Sequence, residues 1–246
     1  MPFLRKTIYT GKSAYGSYKI IDMNYYGRPS RVLFGDHKTP QSGMALDDAP
    51  ELLFHYNQRL LEMMLSYASM KRALVIGGGV GMLPVAAYRH LPDLTLDVVE
   101  IDPLLTELAY RYFNFPKDKR MNVYNEDGAA FVAETNQRYD MICVDAFTGF
   151  VIPPHLFEVS TVKQYKRKLT KGGFVAVNLI SEYKPYRRRL AHDMIDSFNE
   201  VFAHISLYQA DPHDTPGVDQ NFILVASDEP LSFDYLQSAE HELYVA

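Results

Sequence analysis

From Arg72 onward, the sequence alternates apolar runs with segments of helical character, and this alternation constrains the fold more than any other feature. The apolar runs are unbroken, which is typical of strands that are buried on both faces. Strands that alternate with helices favour a parallel sheet with helices packed on both sides. We therefore predict an α/β fold with a mostly parallel, Rossmann-like sheet. In chain order the segments read RALVIG, LPVAAYRHL, LTLDVVEID, PLLTELAYRYF, MNVYNED, GAAFVAET, YDMICVDAF, STVKQYKRKL and FVAVNLI, with the STVKQYKRKL helix ending through Lys171-Gly172-Gly173.

Both ends of the chain depart from this alternation. Near the C-terminus, HISLYQA and QNFILVAS predict an antiparallel pair at the edge of the sheet. Residues 1–50 carry short apolar runs broken by Gly, Pro, Asp and Asn, and they predict a small antiparallel β-hairpin domain with a turn near Gly27-Arg28-Pro29. Residues 51–246 form the predicted nucleoside-binding catalytic domain.

A helix is predicted where the two domains join. The segment DDAPELLFHYNQRLLEMMLSYA places apolar residues near helical spacing. Asp47 or Asp48 can serve as the N-cap, with Pro50 in the first turn.

The residues that follow the predicted strands define the candidate site. In an open parallel sheet, ligands bind at the carboxyl ends of the strands, near the point where the strand order reverses. A carboxylate such as Glu100 can accept hydrogen bonds from both hydroxyls of a ribose, and Asp127 can accept one from an exocyclic amine such as that of adenine. Taken alone, an Asp before a helix is more often a simple N-cap, but four such signals in succession at strand ends favour a site. After the four strands come, in order, Gly77, Gly79 and Gly81; Glu100-Ile101-Asp102; Asp127-Gly128; and Asp145.

The glycine spacing distinguishes two kinds of nucleotide. A dinucleotide fingerprint reads G-x-G-x-x-G, whereas the third glycine here comes one residue earlier, at Gly81. Together with the acid after the third strand, this spacing favours an adenosyl-sulfonium nucleoside over a nicotinamide dinucleotide.

Charge and composition exclude several other classes of partner. The net charge of −5 and the pI of about 5.9 argue against a nucleic-acid partner. No apolar run approaches the roughly 18 residues that span a membrane, and MPFLRKTIYT lacks the apolar stretch of a signal peptide. The single cysteine, Cys143, suits a reducing compartment, so we expect a cytoplasmic protein. No metal site is expected.

The segments VIGGGVG, VVEIDP, EDGAAF and YDMICVDAF resemble, in order and spacing, the spermidine synthase family of polyamine aminopropyltransferases. The PQSG segment at Pro40–Gly43 and Tyr56 extend the resemblance. DAFTGFVIPPHLF and GGFVAVNLI look more like the divergent, spermidine synthase-like branch of that family. The resemblance implies a sheet of the S-adenosylmethionine-methyltransferase type, a homodimer, and a transferase related to polyamine biosynthesis that uses decarboxylated S-adenosylmethionine.

The resemblance also implies a role for each matched residue. In that family an amine attacks the carbon next to the sulfonium, and a free amine with a pKa of about 10 must first lose a proton. Asp145 matches the catalytic carboxylate, and Tyr56 matches the tyrosine that places the amine. Glu100 would bind the ribose, and Gln41 would line the cofactor pocket. The remaining cofactor-binding residues are the three glycines, Ile101, and Asp127-Gly128 at the adenine.

Two departures from the family pattern leave the reaction open. Val80 and Thr148 stand where the family usually has Asp. A diamine brings two cations, and burying a cation without a counter-charge is expensive, so a putrescine site should be weakened. An uncharged Val80 would also not repel the carboxylate of ordinary S-adenosylmethionine. Three hypotheses remain: aminopropyl transfer to a small amine acceptor that need not be putrescine, S-adenosylmethionine-dependent methyl transfer, and a catalytically idle nucleoside-binding protein.

Overall fold

The computed structural model describes residues 5–36, 39–47, 52–68, 70–149, 151–181, 185–211 and 220–233. These residues carry two sheets. The first is antiparallel, with its four strands paired in chain order: β1 (Lys6–Lys12), β2 (Ser17–Tyr25), β3 (Arg28–Phe34) and β4 (Pro40–Ala45).

The second sheet is mostly parallel, as predicted, and its order is β10-β11-β9-β8-β5-β6-β7. The predicted antiparallel pair at the edge is confirmed, because β11 runs antiparallel to both β10 and β9. The strand order reverses at β5, which lies between β8 and β6. The strands are β5 (Arg72–Ile76), β6 (Thr95–Val99), β7 (Met121–Tyr124), β8 (Tyr139–Val144), β9 (Leu169–Ser181), β10 (His204–Gln209) and β11 (Gln220–Ser227).

Helices cover both faces of this sheet, which confirms the predicted fold class. Residues of β5 alternate between two apolar cores, with Ala73 and Val75 on one side and Leu74 and Ile76 on the other. The first core contains buried residues of α1 to α3, and the second contains those of α4 to α6. The helices are α1 (His55–Ser66), α2 (Met82–His90), α3 (Pro103–Tyr112), α4 (Gly128–Glu134), α5 (Val159–Lys168) and α6 (Pro185–Asn199), with a short 3₁₀ turn at Pro154–Leu156.

The small sheet packs against the first of these cores. Its buried residues Tyr18, Ile20, Leu33 and Met44 belong to the same apolar cluster as α1 and α2. Polar contacts also join the two parts: Ser13 Oγ donates to Asp102 Oδ2 at 2.6 Å. The predicted domain boundary between residues 50 and 51 lies outside the described residues.

The predicted cap of the first helix is wrong. Helix α1 begins at His55, its N-cap is Phe54, and no side chain caps it. The chain is still extended at Leu52, which forms an antiparallel bridge with Met44, so the helix cannot start near Asp47. Asp47 instead pairs with Arg28 at 3.1 Å. Asp48 and Pro50 lie outside the described residues.

Two glycine turns also differ in position from the prediction. The hairpin turn consists of Tyr26 and Gly27, which both have positive φ, and Arg28 already begins β3. Residues 171–173, predicted to end a helix, lie inside β9. Gly172 has a φ of +77°, and the pairing of β8 with β9 shifts register nearby, so these glycines form a bulge in the strand.

None of the helices in the described ranges is long and apolar enough to cross a membrane.

Candidate functional site

The candidate site lies where β5 and β8 end side by side, at the point where the strand order reverses. The N–H of Asp145 donates to the carbonyl of Ile76 at 2.8 Å. Gly77 follows Ile76 with a φ of +87°, and a Cβ on it would lie 2.6 Å from the Cα of Ala146. The chain therefore needs glycine at position 77 to bring the glycine turn against the segment that carries Asp145.

The other two predicted glycines have different local surroundings. Gly81 is the N-cap of α2 with a φ of +78°, and a Cβ there would overlap the ring of Phe115. Gly79 has a φ of +52°, and a Cβ there would meet nothing within 4 Å. Packing therefore requires Gly81, whereas Gly79 leaves open space above the turn.

Glu100 connects the glycine turn to the end of β6. Its Oε2 accepts from the Gly79 N–H at 2.6 Å, and its Oε1 accepts from the Asp102 N–H at 2.9 Å. Burial raises the pKa of Glu100, and the hydrogen bonds from Asp102 and Gly79 oppose that rise. Each carboxylate oxygen retains acceptor capacity for a further donor. Next to it, Ile101 is 42% exposed and offers an apolar surface at the same edge.

Asp127 combines the capping role with a second contact. Its Oδ1 accepts from the N–H groups of Ala129 and Ala130, both at 2.9 Å, so Asp127 caps α4. Its Oδ2 lies 2.8 Å from His155 Nε2. Although partial burial acts to raise the pKa of Asp127, the Ala130 N–H and then His155 hold it below its ordinary value. Gly128 is buried against the side chain of Ile76, so packing explains this glycine.

Asp145 is the most perturbed carboxyl group of the site. Burial raises its pKa to about 7; a hydrogen bond from Asn178 opposes the rise, and the charge of Glu100 adds to it. Asn178 Nδ2 donates to Asp145 Oδ1 at 2.7 Å, and Asn221 Nδ2 donates to Asn178 Oδ1 at 2.9 Å. A carboxyl group with a pKa near 7 can accept and release a proton at neutral pH.

Tyr56 lies in the first turn of α1, and its electrostatic environment includes Asp145. Burial first, and then the charge of Asp145, raise the pKa of Tyr56 well above its ordinary value, so the phenol stays a neutral donor. Its hydroxyl donates to the main-chain carbonyl of Gln41 at 3.4 Å. The side chain of Gln41 is exposed and lies against Gly35, so only its carbonyl contacts a site residue. The pocket role of Gln41 stays a prediction.

Val80 and Thr148, which stand where the family usually has Asp, supply no negative charge. Val80 is fully buried within the apolar core. Thr148 is exposed in a turn, where its N–H donates to the carbonyl of Val151 at 2.8 Å. Across the part of the chain that the structure describes, no group of three or more His, Cys, Asp or Glu is placed to hold a metal ion.

Sequence reasoning missed His155, Asn178 and Asn221. A polar Asn178 within the apolar strand FVAVNLI was the only signal for the amide pair. His155 carried no signal of its own beyond its place in VIPPHLF.

Comparison with known sequences finds one family model and several curated relatives. Residues 53–230 match the spermine/spermidine synthase domain. A polyamine aminopropyltransferase of Vibrio vulnificus is 33% identical over 138 residues, which cover 55% of this chain and 46% of that protein. The human eEF1A lysine and N-terminal methyltransferase is 35% identical over 156 residues, which cover 58% of this chain and 20% of that protein. The matches therefore span half or less of the length of these two relatives.

Solved structures show the same fold. A probable spermidine synthase from Corynebacterium glutamicum superposes with a TM-score of 0.78 at 23% identity, covering 91% of this chain and 81% of that one. Human methyltransferase-like protein 13 in complex with SAH gives a TM-score of 0.56 at 26% identity, covering 72% of this chain and 81% of that one.

Proposed function

Since the chain belongs to the spermine/spermidine synthase family, we propose that it is a transferase that moves a carbon group from S-adenosylmethionine, or from its decarboxylated form, to an amine. The observation that carries the proposal is the position of Asp145. It is a carboxyl group with a pKa of about 7, at the point of strand reversal and beside a glycine turn and Glu100.

The nucleoside would lie across the carboxyl ends of β5, β6 and β7. Glu100 accepts from the ribose hydroxyls, and Ile101 covers one face of the base. Asp127 Oδ2 accepts from the adenine amine, in place of His155 or together with it. Gly79 lets the ligand approach the main chain closely, because no side chain occupies the open space above it.

Asp145 would then act as the general base. The acceptor amine gives a proton to the Asp145 carboxylate, and the nitrogen lone pair forms the new bond to carbon. The carbon–sulfur bond breaks, its electrons stay on sulfur, and a neutral thioether leaves. Tyr56, a neutral phenol near Asp145, orients the amine. Holding nitrogen and carbon in line supplies much of the rate.

The first form of the proposal is aminopropyl transfer to an amine other than a simple diamine. The similarity to the aminopropyltransferase of Vibrio vulnificus supports decarboxylated S-adenosylmethionine as the donor. The acceptor argument rests on charge: neither Val80 nor Thr148 offers a carboxylate for a second cation. An acceptor with one ammonium group avoids burying an unpaired charge.

The second form is methyl transfer. The similarity to the human eEF1A lysine and N-terminal methyltransferase supports it. An uncharged Val80 also suits the carboxylate that ordinary S-adenosylmethionine carries.

The nucleoside product distinguishes these possibilities. Aminopropyl transfer leaves 5′-methylthioadenosine, and methyl transfer leaves S-adenosylhomocysteine. The protein is incubated with each donor and a panel of monoamines, diamines and amino-terminal peptides, and the products are identified by mass spectrometry. One of the two products is expected with wild type and neither with Asp145→Asn. If the wild type forms neither while it still binds nucleoside, the chain is an idle binding protein.

We also propose the homodimer that the family resemblance implies and the cytoplasmic location that the single cysteine favours. Light scattering at micromolar concentration tests the homodimer, and a mass of one chain would contradict it.

A further inference from the structure

Two amides, the buried Asn178 and the half-buried Asn221, form a hydrogen-bonded chain that ends at Asp145. Asn178 lies in β9 and is 1% exposed, and Asn221 lies at the start of the neighbouring strand β11. Asn178 Nδ2 donates to Asp145 Oδ1 at 2.7 Å, and Asn221 Nδ2 donates to Asn178 Oδ1 at 2.9 Å. Both bonds are side chain to side chain and join residues that are far apart in sequence.

The second bond fixes the direction of the first. An asparagine amide has an accepting and a donating end, and either end of Asn178 would fit the space beside Asp145. With Asn221 donating to the oxygen of Asn178, the NH₂ end of Asn178 faces Asp145. An ionised carboxylate can only accept, so this arrangement favours the ionised form of Asp145.

We propose that Asn178 and Asn221 are positioning residues that orient Asp145 through one carboxylate oxygen and leave the other for the proton of the acceptor. The inference rests on the proposed function, since it assigns Asp145 the role of base. Asp145 Oδ2 accepts no hydrogen bond from any described residue. The second oxygen is therefore available as an acceptor for a further donor.

For a general base at Asp145, a neutral hydrogen-bond donor such as Asn178 is more suitable than a cation or the absence of a donor. A cation at this position would lower the pKa by about one to three units and leave a weak base. Without a donor, burial and the charge of Glu100 would raise the pKa of Asp145 further. Within the described ranges, the other ionisable groups that interact with Asp145 are Tyr56 in α1 and Cys143 in β8, and burial raises the pKa of both well above their ordinary values. Glu100 is therefore the main charge that acts on Asp145.

The test follows the titration of Asp145 directly. The full chain, free of nucleoside, is labelled at its Asp carboxyl carbons and titrated by NMR, and Asp145→Asn identifies the resonance. Asn178→Leu should raise the midpoint of Asp145 by about one to two pH units, because a hydrogen bond to a charged group is lost. Asn221→Asp should also raise it, because the new carboxylate takes the Asn178 N–H and turns the Asn178 oxygen toward Asp145.

A matched control separates this effect from general damage to the sheet. Asn122 Nδ2 donates to the buried Asp97 at 2.8 Å, an equivalent contact that does not involve Asp145. Asn122→Leu should leave the Asp145 midpoint unchanged. An unchanged or lowered midpoint in Asn221→Asp would overturn the inference, even where Asn178→Leu does not fold.

The titration requires no turnover, so it is independent of the reaction assigned to the chain. If wild type forms no nucleoside product, the proposed function fails while the effect of the amides on Asp145 can still be measured. Where turnover is found, the acid limb of the pH–rate profile should move to higher pH in Asn178→Leu, in parallel with the NMR midpoint.

Discussion

The folded protein destabilises the ionised form of Asp145 relative to a carboxylate on the surface. Burial raises its pKa to about 7, whereas an unfolded Asp has a pKa of about 3.9. Below about pH 4 both states bind the proton, and the group does not favour either. As the pH rises toward 7, the unfolded state releases the proton first, so the ionisation of Asp145 progressively destabilises the fold.

Asp145→Asn should therefore stabilise the protein at alkaline pH. The melting temperature at pH 8 should rise by a few degrees, at about 2–4 °C per kcal/mol for a chain of this size, and the gain should shrink toward pH 4. Calorimetry of both proteins across this range measures the difference. Turnover should be lost, and nucleoside binding should stay nearly intact. A lower melting temperature at pH 8 would contradict the assigned burial of a charge.

Among the individual residues of the site, those that follow strands could be predicted from the sequence, whereas long-range side-chain contacts could not. The placement of Glu100, Asp127 and Asp145 at one edge of the sheet could be predicted because each follows an apolar run, and parallel strands bring such positions together. The contact of Asn178 with Asp145 joins residues 33 positions apart, and that of Asn221 with Asn178 spans 43. No local pattern encodes such pairs. His155 likewise contacts Asp127 across 28 positions.

At the scale of elements, the glycine turn after β5 serves two separate purposes. Gly81 starts α2 against the ring of Phe115, whereas Gly79 borders open space and donates its N–H to Glu100. The first position is needed for folding, and we propose that the second lets the ligand approach.

Alanine substitutions should separate these purposes. Gly81→Ala should lower the melting temperature strongly, because the methyl group overlaps Phe115 and φ is positive. Gly79→Ala should cost only about 1–2 kcal/mol of backbone strain but weaken 5′-methylthioadenosine binding by tenfold or more. Thermal melting and titration calorimetry of both variants provide the comparison. Equal losses of stability, with nucleoside affinity kept in Gly79→Ala, would argue against a ligand at this turn.

Elements with a clear period were predicted well, and their ends less well. The strands of the parallel sheet are unbroken apolar runs, a pattern typical of strands that are buried on both faces. The start of α1 was misplaced because Asp47, Asp48 and Pro50 carry strong capping signals, yet the bridge between Met44 and Leu52 keeps the chain extended. Residues 171–173 resemble a helix end because a glycine pair follows a lysine, and only the pairing of β8 with β9 reveals the bulge.

At the scale of the whole molecule, hydrogen bonds connect the small sheet to the proposed nucleoside site. Ser13 Oγ donates to Asp102, whose N–H is in turn held by Glu100. Arg31 pairs with Asp22 at 2.7 Å and donates to the carbonyl of Tyr112 at 2.9 Å. The two sheets are thus joined through both ends of α3.

Ser13→Ala tests this connection. It should cost about 1 kcal/mol of stability, as the loss of a hydrogen bond does, and it should weaken nucleoside binding several-fold by loosening Asp102. Ser30→Ala is the matched control, since Ser30 is buried in the same sheet and donates to Arg28 rather than to Asp102. An equal change of nucleoside affinity in both variants would remove the specific link through Asp102.

The central claim is that an adenosyl sulfonium or its thioether product binds at Glu100, beside Asp145. Isothermal titration of 5′-methylthioadenosine, S-adenosylmethionine and decarboxylated S-adenosylmethionine into wild type and Glu100→Gln tests this claim most directly. We predict saturable binding of at least one of the three to wild type, at one site per chain, and a loss of tenfold or more in Glu100→Gln. No binding of any of the three, or equal affinity in the two proteins, would contradict the account.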